Sequence, residues 1–174
     1  AMAWRVMEPE RNEVQSVTLD RVAIWCATNG LSLQGEKLAP VCGEDLPSWT
    51  AALSDADLRA ALTARARLIA KRYKDLVDDF VLPAATEDCA TLQERLGLAL
   101  FRQVLYEMHG VNPSAGLFLC AVWKGNEEPV IHLVKLAREL GKENAPLNGV
   151  GLICDIPADL SGEFERALAE LETL

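Results

Sequence analysis

Through the first two thirds of the chain the apolar positions recur at three- and four-residue steps, while the last third carries short uninterrupted apolar runs. The first periodic stretch predicts a helix over Thr18–Asn29, with Thr18 able to cap it, Asp20 in its first turn and Gly30 as a left-handed stop. Leu31 to Leu38 alternates weakly around Gly35, which suits a short hairpin, and Pro40, Gly43 and Pro47 mark an irregular stretch through Trp49. Ser54 and Asp57 then form a capping-box-like start. The long helix predicted after it has Leu58, Leu62, Ile69, Tyr73, Leu76 and Phe80 on one stripe, with Arg67, Lys71, Lys74 and Asp78 opposite. Pro83 is its expected end. Thr91 and Glu94 open another predicted helix, largely apolar, that runs to His109 and stops at Gly110.

In the last third, Leu117–Trp123 is a continuous apolar run of the kind found in a strand covered on both faces. A helix is predicted from Pro129 through Leu133, Val134, Ala137 and Leu140 to Gly141. Gly149–Asp155 reads as a second buried strand, and Leu160, Phe164, Leu168 and Leu171 mark a last amphipathic helix after Pro157. Strand, helix, strand in this order implies a right-handed βαβ unit with parallel strands. The expected fold is therefore a helix-rich α/β fold. It has a small mixed sheet, completed by strands from 31–42 or 1–18, with a C-terminal βαβα unit and two long central helices packed on it. A single domain over 1–174 is expected, or a mainly helical subdomain over 1–112 followed by a βαβα unit over 113–174.

Composition narrows the function classes. Of 174 residues, 50% are hydrophobic and 25% charged, which excludes wholesale disorder. The longest apolar run, Leu117–Trp123, is too short to span a membrane, and the start of the chain has no apolar stretch of signal-peptide length. The five cysteines are odd in number and none forms a Cys-x-x-Cys pair, so reduced thiols and a cytoplasmic location are expected. A net charge of −9 argues against bulk-charge binding to nucleic acid or an anionic membrane.

Candidate chemistry concentrates at the carboxyl ends of the two predicted strands, where parallel α/β units place their ligands. There Lys124, Glu127, Glu128, Asp155 and Asp159 lie beside two helix starts. Glu127, Glu128 and Asp159 are also what a helix dipole favours in its first turn. Asp155 ends an apolar strand, and His132 falls in the first turn of the helix after Pro129, so Asp155, His132 and Lys124 are the catalytic candidates. Gly149 and Gly151 begin their strand instead of leading into a helix, unlike a phosphate loop. Cys120 and Cys154 lie within apolar strands as packing residues, and Cys42, beside Gly43, is the one thiol with expected access. No cofactor and no metal site is indicated. Arg59, Arg65, Arg67, Lys71, Arg72 and Lys74 form a basic run that reads as a solvated helix face, with Lys71–Asp75 and Lys74–Asp78 as four-residue pairs.

Two functional expectations follow. The first is a protein-binding accessory factor, in the manner of an inhibitor, immunity protein or chaperone, whose acidic surface at Glu163, Glu165, Glu170 and Glu172 engages a basic protein partner. The second is a small enzyme or ligand-binding domain with a polar site at the carboxyl ends of its parallel strands. Homo-oligomerisation through an apolar helix face is compatible with either.

Overall fold

In a computed structural model, residues 3–37, 45–85, 92, 93, 95–154 and 162–174 are described. The elements run α1 (Trp4–Met7), α2 (Val17–Thr28), β1 (Gln34–Glu36), a 3-10 turn (Ser48–Ala52), α3 (Asp55–Arg72), β2 (Asp79–Ala85), α4 (Leu98–Val111), β3 (Gly116–Val122), α5 (Glu128–Lys142), β4 (Gly149–Ile153) and α6 (Gly162–Leu171). The four strands form one sheet in the order β1-β2-β3-β4, and every neighbouring pair is parallel. The helix-rich α/β reading holds. The sheet, however, is parallel throughout where a mixed one with a hairpin near Gly35 was expected, because β1 is joined to β2 through the helical crossover α3 and not through a tight turn.

A strand also stands where the sequence pattern predicts helix. The helix that starts at Ser54 has the expected cap, Asp57 N–H donating to Ser54 Oγ at 3.2 Å, but it ends at Arg72. Asp75 takes φ 63°, a left-handed conformation that aspartate tolerates better than most residues, and the chain leaves the helix there. Tyr73 and Phe80 are buried as the apolar stripe requires, yet Phe80 reaches the core from β2. Asp78 is not opposite the stripe on a helix. It accepts from Ser32 Oγ at 2.7 Å and from Leu33 N–H at 2.9 Å, bonds that hold its carboxyl below the usual range and tie β1 to the start of β2. Pro83 lies within β2, past the last residue paired to β1 and at a register shift against β3, where its missing N–H is tolerated.

The remaining helices keep their expected places but not every end: Thr18 lies inside α2, whose N-cap is Ser16, and α4 and α5 run through Gly110 and Gly141. Gly30, at φ 66°, stops α2, and Gly97, at φ 72°, precedes α4; the capping pair Thr91 and Glu94 lies outside the described residues. α5 carries Pro129 at its start and ends near Asn144, which takes φ 53°. The main core runs from Trp4 on α1 through Leu62 and Ile69 on α3, Leu100, Phe101 and Leu105 on α4, and Leu117 and Leu119 on β3, to Leu133 and Leu140 on α5. Burying these groups drives the packing of α3 on α4 and of α5 on the sheet.

The alternate residues of the sheet face away from that core, as strand geometry dictates. On this second face Val81, Phe118, Val122 and Ile153 are half-buried, and the Phe118 ring lies across the strand starts beside Gly116 and Gly149. Cys120 is buried there, and burial pushes its thiol up to about 12, in keeping with a packing role.

The basic run is not one solvated face. Arg65 is buried, Arg59 donates to Leu96 O, and Arg72 reaches Asp20 on α2. Asp20 accepts from Arg72 Nε and Nη2 (3.0 and 2.6 Å), Tyr73 Oη (3.0 Å) and Ser16 Oγ (3.0 Å). The Arg72 fork, above all, lowers its carboxyl to about 2. A depressed carboxylate stabilises the fold above its unfolded value of 3.8, and that contribution is lost as the pH falls from there through about 2. Asp20→Asn is therefore expected to cost about 1 kcal/mol at neutral pH, solvent screening included, and close to nothing near its native titration point. Urea midpoints of both proteins across acid pH check this; a constant gap between them would refute it.

Candidate functional site

Because all four strands run the same way, their carboxyl ends form one rim, the place where parallel βα architectures build their sites. β1 brings Glu36, whose side chain is exposed, followed by Lys37 at φ 59° with Nζ 3.9 Å from Asp45 Oδ2. β2 ends in Ala84 and Ala85. β3 leads into Trp123 and the turn Lys124–Glu127, where Gly125 takes φ 92°. β4 ends in Ile153 and Cys154, and Trp123 N–H donates to Ile153 O at 2.9 Å, which joins the two strand ends.

One polar chain crosses this rim. Gln93 Nε2 donates to Ala84 O at 3.1 Å, and Gln93 Oε1 lies 2.6 Å from His132 Nε2. Ala84 O can only accept, so the amide presents its oxygen to the histidine, and His132 Nε2 carries the proton. That leaves Nδ1 as the acceptor of the neutral ring. His132 is thus held by β2 through one side chain.

Beside it, Trp123 is buried against Val130, Ala167 and Phe164, with its ring centroid 5.2 Å from that of Phe164. Its indole N–H has no hydrogen-bond partner among the described residues. Glu127 Oε1 accepts from Arg166 Nε at 2.5 Å, locking the turn after β3 to α6.

Of the catalytic candidates, Lys124 and His132 both stand at the carboxyl end, but no hydrogen bond joins them, and Lys124 is exposed. Asp155 and Asp159 lie outside the described residues, as do Cys42 and Cys89. Glu165 and Glu172 are exposed at the C-terminal end and Glu170 is half-buried; the side chain of Glu163 is outside the described set. No group of three or more His, Cys, Asp and Glu placed to hold a metal occurs among the described residues. No described helix is long and apolar enough to cross a membrane. Sequence reasoning missed Glu36, Gln93 and Trp123. The first two carry no local signal, since their role depends on which strand ends lie next to each other.

No family model matches this sequence. Solved structures do. A psychrophilic glycoside hydrolase family 10 endo-β-1,4-xylanase superposes with a TM-score of 0.84 at 20% identity, over 99% of this chain and 60% of that one. A family 10 endoxylanase retrieved from a sugarcane soil metagenome gives 0.84 at 18% identity, over 99% and 53%. TsXylA, an intracellular xylanase from Thermoanaerobacterium saccharolyticum solved with xylotriose, gives 0.83 at 16%, over 99% and 60%. The chain therefore spans little more than half the length of these proteins. The likeness overturns the expectation of an inhibitor, immunity or chaperone-like factor: a net charge of −9 describes a surface and its association rates, and carries no information about architecture. The strand-end site is the expectation that this fold favours, and the fold is one shared with part of the family 10 xylanase structures.

Proposed function

We propose that the chain forms part of a glycoside-hydrolase-type barrel that takes a β-1,4-linked polysaccharide of the xylan class along the carboxyl ends of its strands. The observation that carries this is the sequential parallel sheet, which superposes over 99% of the chain on xylanases at a TM-score of 0.84. The groups at the rim suit a sugar chain. Lys124 and Glu36 are exposed there, and with the His132–Gln93 pair they offer hydrogen bonds to hydroxyls.

Hydrolysis in this chemistry uses two carboxyl groups that flank the scissile bond. Glu36, the last residue of β1, supplies one described carboxylate at this rim, and Asp155 lies outside the described residues. Cytoplasmic residence fits the free thiols Cys26, Cys120 and Cys154.

The test is calorimetric titration with xylotriose, alongside release of reducing ends from xylan. Saturable xylotriose binding is expected, weakened about tenfold by Glu36→Gln as one charged hydrogen bond is lost. Absence of both binding and hydrolysis would remove this reading.

A further inference from the structure

Two helices carry a leucine at the centre of a solvent-facing stripe. On α3 the exposed positions Ala64, Arg67, Leu68 and Lys71 recur at three- and four-residue steps, opposite the buried Leu62, Ala66 and Ile69. On α6 the exposed positions Glu165, Leu168, Ala169 and Glu172 have the same spacing and turn away from the buried Ala167. Glu172 N–H donates to Leu168 O at 3.1 Å, which carries the helical turn one residue past Leu171. Leu68 is 42% exposed and Leu168 41%, so neither leucine is covered within its own chain.

The charges flanking the two leucines are opposite in sign. Beside Leu68 stand Arg67, whose Nη1 keeps a loose 3.9 Å pair with Glu107 of α4, and Lys71, which makes no ion pair among the described residues. No acidic residue occurs from Leu58 to Lys74. Beside Leu168 stand Glu165 and Glu172, neither in an ion pair among the described residues. The cations closest in sequence or contact are engaged elsewhere, Arg166 by Glu127 and Arg138 of α5 by Thr173. Glu172 follows the carboxyl end of α6, where a helix dipole disfavours an acid, so the helix itself supplies no reason for it.

We propose that α6 of one copy of this chain docks on α3 of another, with Leu168 and Ala169 against Leu68 and Ala64. When the helices run antiparallel and Leu168 meets Leu68, Glu165 falls level with Lys71, because each charge stands three residues from its leucine. Opposite charges at the edge of an apolar contact steer association and set its register. The contact joins two different surfaces, so a dimer keeps one free stripe of each kind and can grow. A single helix pair makes a small interface, and association is accordingly weak. Neither stripe contains a residue of the strand-end rim, so the outcome leaves the xylan reading untouched.

The net charge of −9 repels copies at long range, and salt screens that repulsion as well as the pair, so charge reversal at fixed salt is the test. Sedimentation velocity is measured on the chain from about 10 μM to about 1 mM, a range that brackets weak association. The sedimentation coefficient is expected to rise with concentration. Lys71→Glu and Glu165→Lys, both at exposed positions, should each weaken association at least about threefold, and the two changes in one chain should restore it. An equimolar mixture of the two single variants holds one intact pair and should form a dimer that grows no further. A chain monomeric throughout this range, single variants that associate like the parent, a double variant no better than either single one, or a mixture that stays monomeric would each overturn the proposal.

Discussion

Phe101→Ala lowers the unfolding free energy by about 3–5 kcal/mol, the cost of deleting a fully enclosed aromatic ring and leaving a cavity. Phe101 is 0% exposed on α4 and belongs to the cluster that joins α4 to α3 and to the sheet. The cluster draws its side chains from several helices and the sheet, whose packing limits collapse into the space. For a chain of this size, about 2–4 °C of melting temperature is lost per kcal/mol, which makes the change visible in a single thermal scan. Val22→Ala is the matched control, because Val22 is 42% exposed and its loss should stay within about 0.5 kcal/mol. If urea titration gave the two variants the same stability, the α3–α4 contact would not be the tight core described above.

The second large effect concerns three glycines on the sheet. A Cβ at Gly116 would stand 2.3 Å from Asp79 Oδ1 and 2.7 Å from Phe118 Cε2, so Gly116→Ala forces the Phe118 ring to move. Overpacking of this sort costs about 1–3 kcal/mol. At Gly149 the same ring is 3.2 Å away, and a smaller loss is expected; at Gly151 nothing lies within 4 Å, and alanine should be neutral or slightly stabilising because it restricts the unfolded chain. The ranking is measured by chemical denaturation of the three alanine variants. Equal losses at Gly116 and Gly151 would show that the Phe118 ring does not press on the strand starts.

The elements that could be read from sequence were those whose local chemistry agrees with their tertiary setting. Thr18 to Asn29 with Gly30, the Ser54 cap, the apolar run at Leu117 and the Pro129 start all have their signal within one turn of chain, and each element falls close to its expected place. Tyr73 to Phe80 failed for a physical reason. Its apolar spacing is that of a helix, but Asp75 turns the chain out in the left-handed conformation and β1 and β3, which pair with β2 across helical crossovers, carry Phe80 into a strand. The same holds at the rim. His132 and Lys124 were legible because a helix start and a strand end mark them, whereas Gln93 became visible only once β2 was known to lie beneath it. Arg65 sits in a basic run that reads as solvated, and nothing in such a run says which residue turns inward.

The sequential order of the strands has a bearing on how the chain is made. Among the described strands β2, β3 and β4 each pair with the one synthesised just before, so none of these three pairings waits for a distant segment. A nascent chain can dock each βα unit onto the last as it emerges, with β1 and α3 serving as the template for β2. Each of these pairings spans a single helical crossover, the shortest connection a parallel sheet allows, in a topology that otherwise folds slowly and leaves sticky edges exposed. Ribosome-bound intermediates of this protein should therefore gain protease resistance in steps, one unit at a time from the amino-terminal side.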